Sequence, residues 1–374
     1  MSQAGSSTRE RRRLAASLPD FPWDSLAEAK AVAAAHPGGI VDLSVGTPVD
    51  PTPELGQRAL ADAADSPGYP QTAGTPRLRE AIAGYLGRRW GTTGLVPDAT
   101  LPVIGTKELV AWLPTLLGLG PDDLVVLPTM AYPTYEVGAR IAGCQAAAVD
   151  DLTMLTQTPA LVWLNSPGNP TGQILSAEEL KRRVDWARER GAIVASDECY
   201  GEFGWDAEPV SVLHPSVCGG DHTGLLALHS LSKRSNLAGY RAGFVAGDAD
   251  LVAELLAVRK HAGMIVPRPV QEAMRVLLDD QSHVVEQYER YRRRRALLRP
   301  ALEQAGFTLD HSEGSLYLWA TRGEPGRDSV AWLAERGILA APGDFYGAAA
   351  AQHVRVALTG TDERIAAAVA RLAV

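Results

Sequence analysis

The stretch Leu225-Leu226-Ala227-Leu228-His229-Ser230-Leu231-Ser232-Lys233-Arg234-Ser235-Asn236-Leu237-Ala238-Gly239-Tyr240-Arg241 decides how the rest of the chain is read. Its apolar opening, 225–228, reads as a buried strand, and a lysine follows at the strand's end. A lysine walled by apolar residues loses the hydration of its ammonium, which lowers its pKa and favours a nucleophilic amine. Such an amine forms an imine with an aldehyde. Ser230 and Ser232 flank Lys233, and Arg241 follows it across a glycine. Hydroxyls and a planar guanidinium are what a phosphate group binds to. An aldehyde and a phosphate on one molecule describe pyridoxal phosphate. A surface Lys-Arg pair in a serine-rich loop explains this stretch alone equally well, so the other segments decide between the two readings.

The 374 residues are enough for two domains, and 46% hydrophobic with 21% charged residues is an ordinary globular balance. A net charge of −8 argues against nucleic acid as the main partner. Cys144, Cys199 and Cys218 lie far apart with no C-x-x-C pattern, which disfavours a disulfide framework or a zinc site and fits a reducing cytoplasm. No uninterrupted apolar run reaches the roughly 18 residues of a membrane span. The polar N-terminus, ending in Arg11-Arg12-Arg13, lacks the apolar core of a signal peptide. These features predict a cytoplasmic protein with small-molecule partners and no metal. Residues 1–17 read as a mobile tail.

From residue 101, strand-length apolar runs alternate with helices. Residues 101–104, 124–128, 161–164, 192–196, 225–228 and 242–246 read as strands, and 77–89, 109–117 and 176–190 as helices. This alternation predicts an α/β fold with a mostly parallel, doubly wound sheet. Two or three strands with helices near the C-terminus predict a smaller α+β domain. The candidate groups Gly105, Thr106, Tyr132, Asn169, Asp197 and Lys233 all fall at or near the C-terminal ends of strands, where open α/β sheets carry their sites. Gly105-Thr106-Lys107-Glu108 joins a strand to a helix, a setting in which free N–H groups and the helix dipole hold phosphate. Gly46, followed by three prolines, opens a stiff loop that lets backbone approach a ligand. Tyr69, beside Pro70, is either a ligand contact or a packed turn residue. The basic run 291–295 reads as a solvated helix face.

The ordered set Tyr69, Gly105-Thr106, Tyr132, Asn169-Pro170-Thr171-Gly172, Asp197-x-x-Tyr200, Ser230-x-Ser232-Lys233, Arg241 and Arg355 resembles the fold-type I, class I/II aminotransferases that use pyridoxal phosphate, over about residues 18 to 372. Residues 18–24, 42–51, 104–109 and 229–233 are similar to the bacterial N-succinyldiaminopimelate aminotransferases. The resemblance implies a seven-stranded sheet in a large domain, 41–260, a small domain, 261–374, and an N-terminal segment, 18–40, packing with the small domain. It implies that Lys233 holds the cofactor as an imine and moves the substrate proton. Asp197 would pair with the pyridine nitrogen, Asn169 and Tyr200 with the phenolic oxygen, and Tyr132 would stack on the ring. Gly105, the Thr106 and Lys107 backbone, Ser230, Ser232 and Arg241 would hold the phosphate. Tyr69 would reach it from a neighbouring subunit, implying a homodimer with shared active sites. Arg355 would grip the substrate α-carboxylate, with Gly46 and Asn169 beside it. The implied reaction is ping-pong amino transfer from N-succinyl-LL-2,6-diaminopimelate to 2-oxoglutarate, in lysine and diaminopimelate biosynthesis. An aminotransferase for aspartate, alanine or an aromatic amino acid, or a lyase on the same fold, remains open. So does the choice among Lys107, Arg268 and Arg234 for the substrate's far end.

Overall fold

The structure, a computed structural model, describes residues 14–373. Its strands are Val41–Asp42 (β1), Thr100–Ile104 (β2), Leu124–Leu127 (β3), Gln145–Ala148 (β4), Leu161–Asn165 (β5), Ile193–Asp197 (β6), Leu225–Ser230 (β7), Ala242–Gly247 (β8), Thr308–Leu309 (β9), Tyr317–Thr321 (β10), Ile338–Leu339 (β11), Ala341–Pro342 (β12) and His353–Ala357 (β13). The seven-stranded sheet has the order β2-β8-β7-β6-β5-β3-β4. Its strands from β7 to β4 pair in parallel, while β8 is antiparallel to both β7 and β2. Every residue of β3 and β7 is buried, as parallel strands covered on both faces require. One face packs on helices Pro76–Trp90 and Ala177–Arg188 through Leu78, Ile82, Leu180 and Val184. The other packs on Thr106–Leu116, Thr134–Ala142 and Ala249–Ala262 through Leu109, Leu113, Tyr135 and Leu255. The edge strand β4 has no sequence signal of its own. It is three alanines after a glutamine, mostly exposed, and lacks the apolar content that marks a strand.

The smaller unit is an antiparallel sheet, β12-β13-β10-β9, packed with helices Ser282–Gln304, Gly326–Glu335 and Asp362–Leu372 around Trp319, Leu318, Val356, Leu333 and Ile365. Leu26, Ala33, Val41 and Leu43 join this core, and β1 pairs in parallel with β11. Packing therefore passes to the large sheet after Leu43. It does not change at 260: helix Arg268–Asp279 is amphipathic and buries Val270, Met274, Leu277 and Leu278 in the large core. Helix Ser282–Gln304, which follows it, packs with the smaller unit. The tail expected at 1–17 lies outside the described residues up to position 13; Leu14–Ser17 forms one 3-10 turn whose Ser17 carbonyl accepts from Arg140 at 3.4 Å.

The basic run also departs from a plain solvated face. It lies in helix Ser282–Gln304, whose 3.6-residue period turns Tyr291 and Arg294 inward and leaves Arg292 and Arg293 in solvent. Arg294 donates to both oxygens of Asp50, at 2.7 and 2.8 Å, and to Asp362 at 2.6 Å. That anchors the proline loop after Gly46. No helix among the described residues is long and apolar enough to cross a membrane.

Candidate active site

A cavity of about 600 Å³ lies at the C-terminal ends of β5, β6 and β7, with β10 and β13 of the smaller unit on its far side. β7 ends at Ser230, and the helical turn Leu231–Arg234 carries Lys233 into the cavity. The lysine Nζ donates to the Gly46 carbonyl, so the stiff loop does meet the reactive group. Burial, opposed by Cys199 and aided by the cations Arg355 and Arg241, pushes the amine's pKa down to about 8.

Asp197 ends β6 and is buried. The Tyr135 hydroxyl donates to its Oδ2 at 2.9 Å and the Cys199 amide to its Oδ1 at 3.2 Å. Burial raises its pKa, although these donors work in the opposite direction. A buried carboxyl in that condition is stabilised by a facing cation, which a protonated pyridine nitrogen supplies. The loop after β5 is held by Asn165, whose amide donates to the Asp197 carbonyl at 2.8 Å and whose Oδ1 accepts the Asn169 amide at 2.7 Å. Asn169 Oδ1 in turn accepts from Arg355 Nη1 at 2.8 Å. Arg355, on β13, also donates through Nη2 to the Ser44 carbonyl at 2.7 Å and lies 3.9 Å from the Tyr317 ring centre. Its Nε is buried with no partner. A buried guanidinium with a free N–H in a cavity is ready for a carboxylate.

The phosphate cradle is built from backbone. Gly105 takes φ 76° and starts helix Thr106–Leu116, whose first N–H groups have no intrahelical acceptor. The positive φ at Gly105 strains any residue with a side chain, and a Cβ there would also push aside the tip of the Arg241 guanidinium. Ser230, Ser232 and Arg241 line the same corner. A half-buried amine, a buried carboxyl, an anion cradle and the flat aromatic Tyr132 in one cavity fit a phosphorylated pyridine aldehyde.

Tyr69 is fully exposed and lies outside this cavity, beside a separate hollow that Arg77 and Arg268 share. Arg234 is buried against Glu202 and the Leu277 carbonyl, at 3.1 and 2.9 Å, and does not line the cavity. Of the three cations considered for the far end, Lys107 alone lines it, with its ammonium 5.7 Å from the Phe21 ring centre. Phe21, Trp23, Tyr135, Cys199 and Tyr317 also line the cavity and were not singled out from the sequence. Tyr317 sits in a strand pattern that reads as core. Phe21 and Trp23 sit in an extended entry whose long-range contacts leave no local signal.

The family model for aminotransferase class I and II matches residues 39–372. A probable aminotransferase of Mycobacterium tuberculosis is 69% identical over 96% of this chain and 86% of its own length. The 4-dedimethylamino-4-oxo-anhydrotetracycline transaminase OxyQ of Streptomyces rimosus is 59% identical over 95% of this chain and 99% of its own. Among solved structures, a probable N-succinyldiaminopimelate aminotransferase from Thermus thermophilus superposes with a TM-score of 0.85 at 29% identity, covering 94% of this chain and 99% of that one.

Proposed function

Because the chain belongs to the class I and II aminotransferases, enzymes of pyridoxal phosphate, we propose that it moves the amino group of N-succinyl-LL-2,6-diaminopimelate to 2-oxoglutarate. The bound cofactor supplies an aldehyde for the amine and a ring that accepts electrons from the substrate Cα. Lys233 would hold the cofactor through its amine and, once released, would carry the proton to and from the substrate Cα. Asp197 would keep the pyridine nitrogen protonated, and Asn169 and Tyr200 would serve the phenolic oxygen. The Thr106 and Lys107 backbone N–H groups, Ser230, Ser232 and Arg241 would hold the phosphate, and Tyr132 would stack on the ring. A second copy of the chain completes the cradle with its own Tyr69.

The observation that carries the substrate reading is the placement of two cations. Arg355, with its orphaned Nε, grips the α-carboxylate. Lys107 lines the same cavity and pairs with no acid among the described residues. A substrate with carboxylates at both ends satisfies both, a description that N-succinyl-LL-2,6-diaminopimelate shares with aspartate and that the donor panel separates. The likeness to the Thermus protein supports the same reading. The 59% identity to OxyQ favours a second one, in which the acceptor is a bulky polycyclic ketone. A panel of amino donors with 2-oxoglutarate tests the choice. Turnover of N-succinyl-LL-2,6-diaminopimelate with kcat/KM well above that for aspartate, alanine and aromatic amino acids is the expected result. Preference for any of those, or for amination of an oxo-anhydrotetracycline, overturns it.

A further inference from the structure

We infer that Tyr317 is a positioning residue with two separable jobs: its hydroxyl strengthens the Tyr200 hydrogen bond to the cofactor, and its ring seats Arg355 for the substrate carboxylate. Tyr317 begins β10 on the smaller unit, whereas Tyr200 follows β6 of the large sheet. Their hydroxyls meet at 2.8 Å across the boundary, both side chains buried. Burial raises the pKa of each, so both are neutral phenols and one must donate to the other. Tyr200 has an anionic oxygen to serve on the cofactor side, so its proton goes there and Tyr317 is the donor within the pair. A phenol that accepts a hydrogen bond becomes a stronger donor through its own proton. The Tyr317 ring lies 3.9 Å from the Arg355 guanidinium carbon, and the Tyr346 ring 5.0 Å away. Gly46 completes the arrangement, because a Cβ there would collide with the Tyr317 hydroxyl. One residue therefore touches the group that tunes the cofactor, the group that binds the carboxylate, and the loop that receives the Lys233 amine.

The two jobs come apart in two substitutions of the full-length, cofactor-loaded protein. Tyr317→Phe keeps the ring and removes the hydroxyl. A weaker donor at the phenolic oxygen favours the protonated form of the Lys233-bound chromophore, so the pH midpoint of its visible absorbance moves upward by a few tenths of a unit. KM for the amino acid stays within about twofold because the ring still faces Arg355. Tyr317→Leu removes both features: the midpoint moves in the same direction, and KM rises roughly tenfold. An unmoved midpoint in the Phe variant overturns the hydroxyl's role, and an unchanged KM in the Leu variant overturns the ring's. The inference rests on Tyr200 facing the cofactor and Arg355 facing the carboxylate, so Tyr200→Phe and Arg355→Ala are run in parallel. If these shift midpoint and KM while the Tyr317 variants do not, the inference alone fails. If they too are silent, the placement of the cofactor and substrate fails.

Discussion

Lys233 owes its chemistry to desolvation rather than to a partner base. Its side chain is half-buried in the cavity, and the pKa is pushed down to about 8 with burial the leading cause. Below that value the neutral amine fraction falls roughly tenfold per pH unit, because each step in pH changes the protonation ratio by that factor. Tethering of the cofactor to cofactor-free protein therefore accelerates as pH rises toward 8 and levels off above it. This residue was legible because a lysine close behind an apolar strand, with two serines beside it, is joined by the rest of an ordered motif set; alone, the stretch reads equally well as a surface Lys-Arg pair. Asp197 was legible for the same reason, as an acid at the end of a buried strand. Tyr135, which donates to Asp197, was not, since a tyrosine inside a helical segment carries no mark of where its hydroxyl points. Arg355 alternates along β13 like any strand residue, and the resemblance to a family, not periodicity, singled it out.

Among elements, strands buried on both faces announced themselves as short apolar runs, and six of the seven in the large sheet were read close to their observed bounds. β4 escaped because alanines at an exposed edge have neither alternation nor bulk. Helix Ser282–Gln304 was visible as a basic segment, but which of its arginines turn inward depends on what the helix packs against. Arg294 and Asp50 are joined by two hydrogen bonds in a largely buried pair. Truncating one member of such a pair leaves the other charged and unpaired, at a cost of about 3 kcal/mol. Arg294→Ala is therefore expected to lower the thermal midpoint and to loosen the proline loop that receives the Lys233 amine. The same change at solvent-facing Arg293 should leave the midpoint nearly unmoved. Equal midpoints for the two variants in differential scanning fluorimetry would remove the anchoring role.

At the scale of the molecule, the cavity assembles where strand ends of the large sheet meet β10, β13 and the N-terminal residues Phe21 and Trp23. The α/β class and the mostly parallel sheet followed from alternation of strands and helices. The way the smaller unit closes over the cavity did not, because contacts between Tyr200 and Tyr317 span 117 positions of sequence. Tyr69, fully exposed and outside its own chain's cavity, belongs to the proposed assembly of two copies. Co-expressing Lys233→Ala with Tyr69→Ala chains is expected to restore activity that each variant lacks alone, since one of the two mixed sites then holds both native residues. No gain in the mixture contradicts a shared site.

The central claim, a covalent link at one amine, is tested by incubating the full chain with pyridoxal phosphate over a pH series, reducing with borohydride and mapping the label by peptide mass spectrometry. Label on Lys233 is expected, with a trapping rate that climbs toward pH 8 and then flattens. Label on Lys30, Lys107, Lys181 or Lys260 instead, or no label at all, would contradict it.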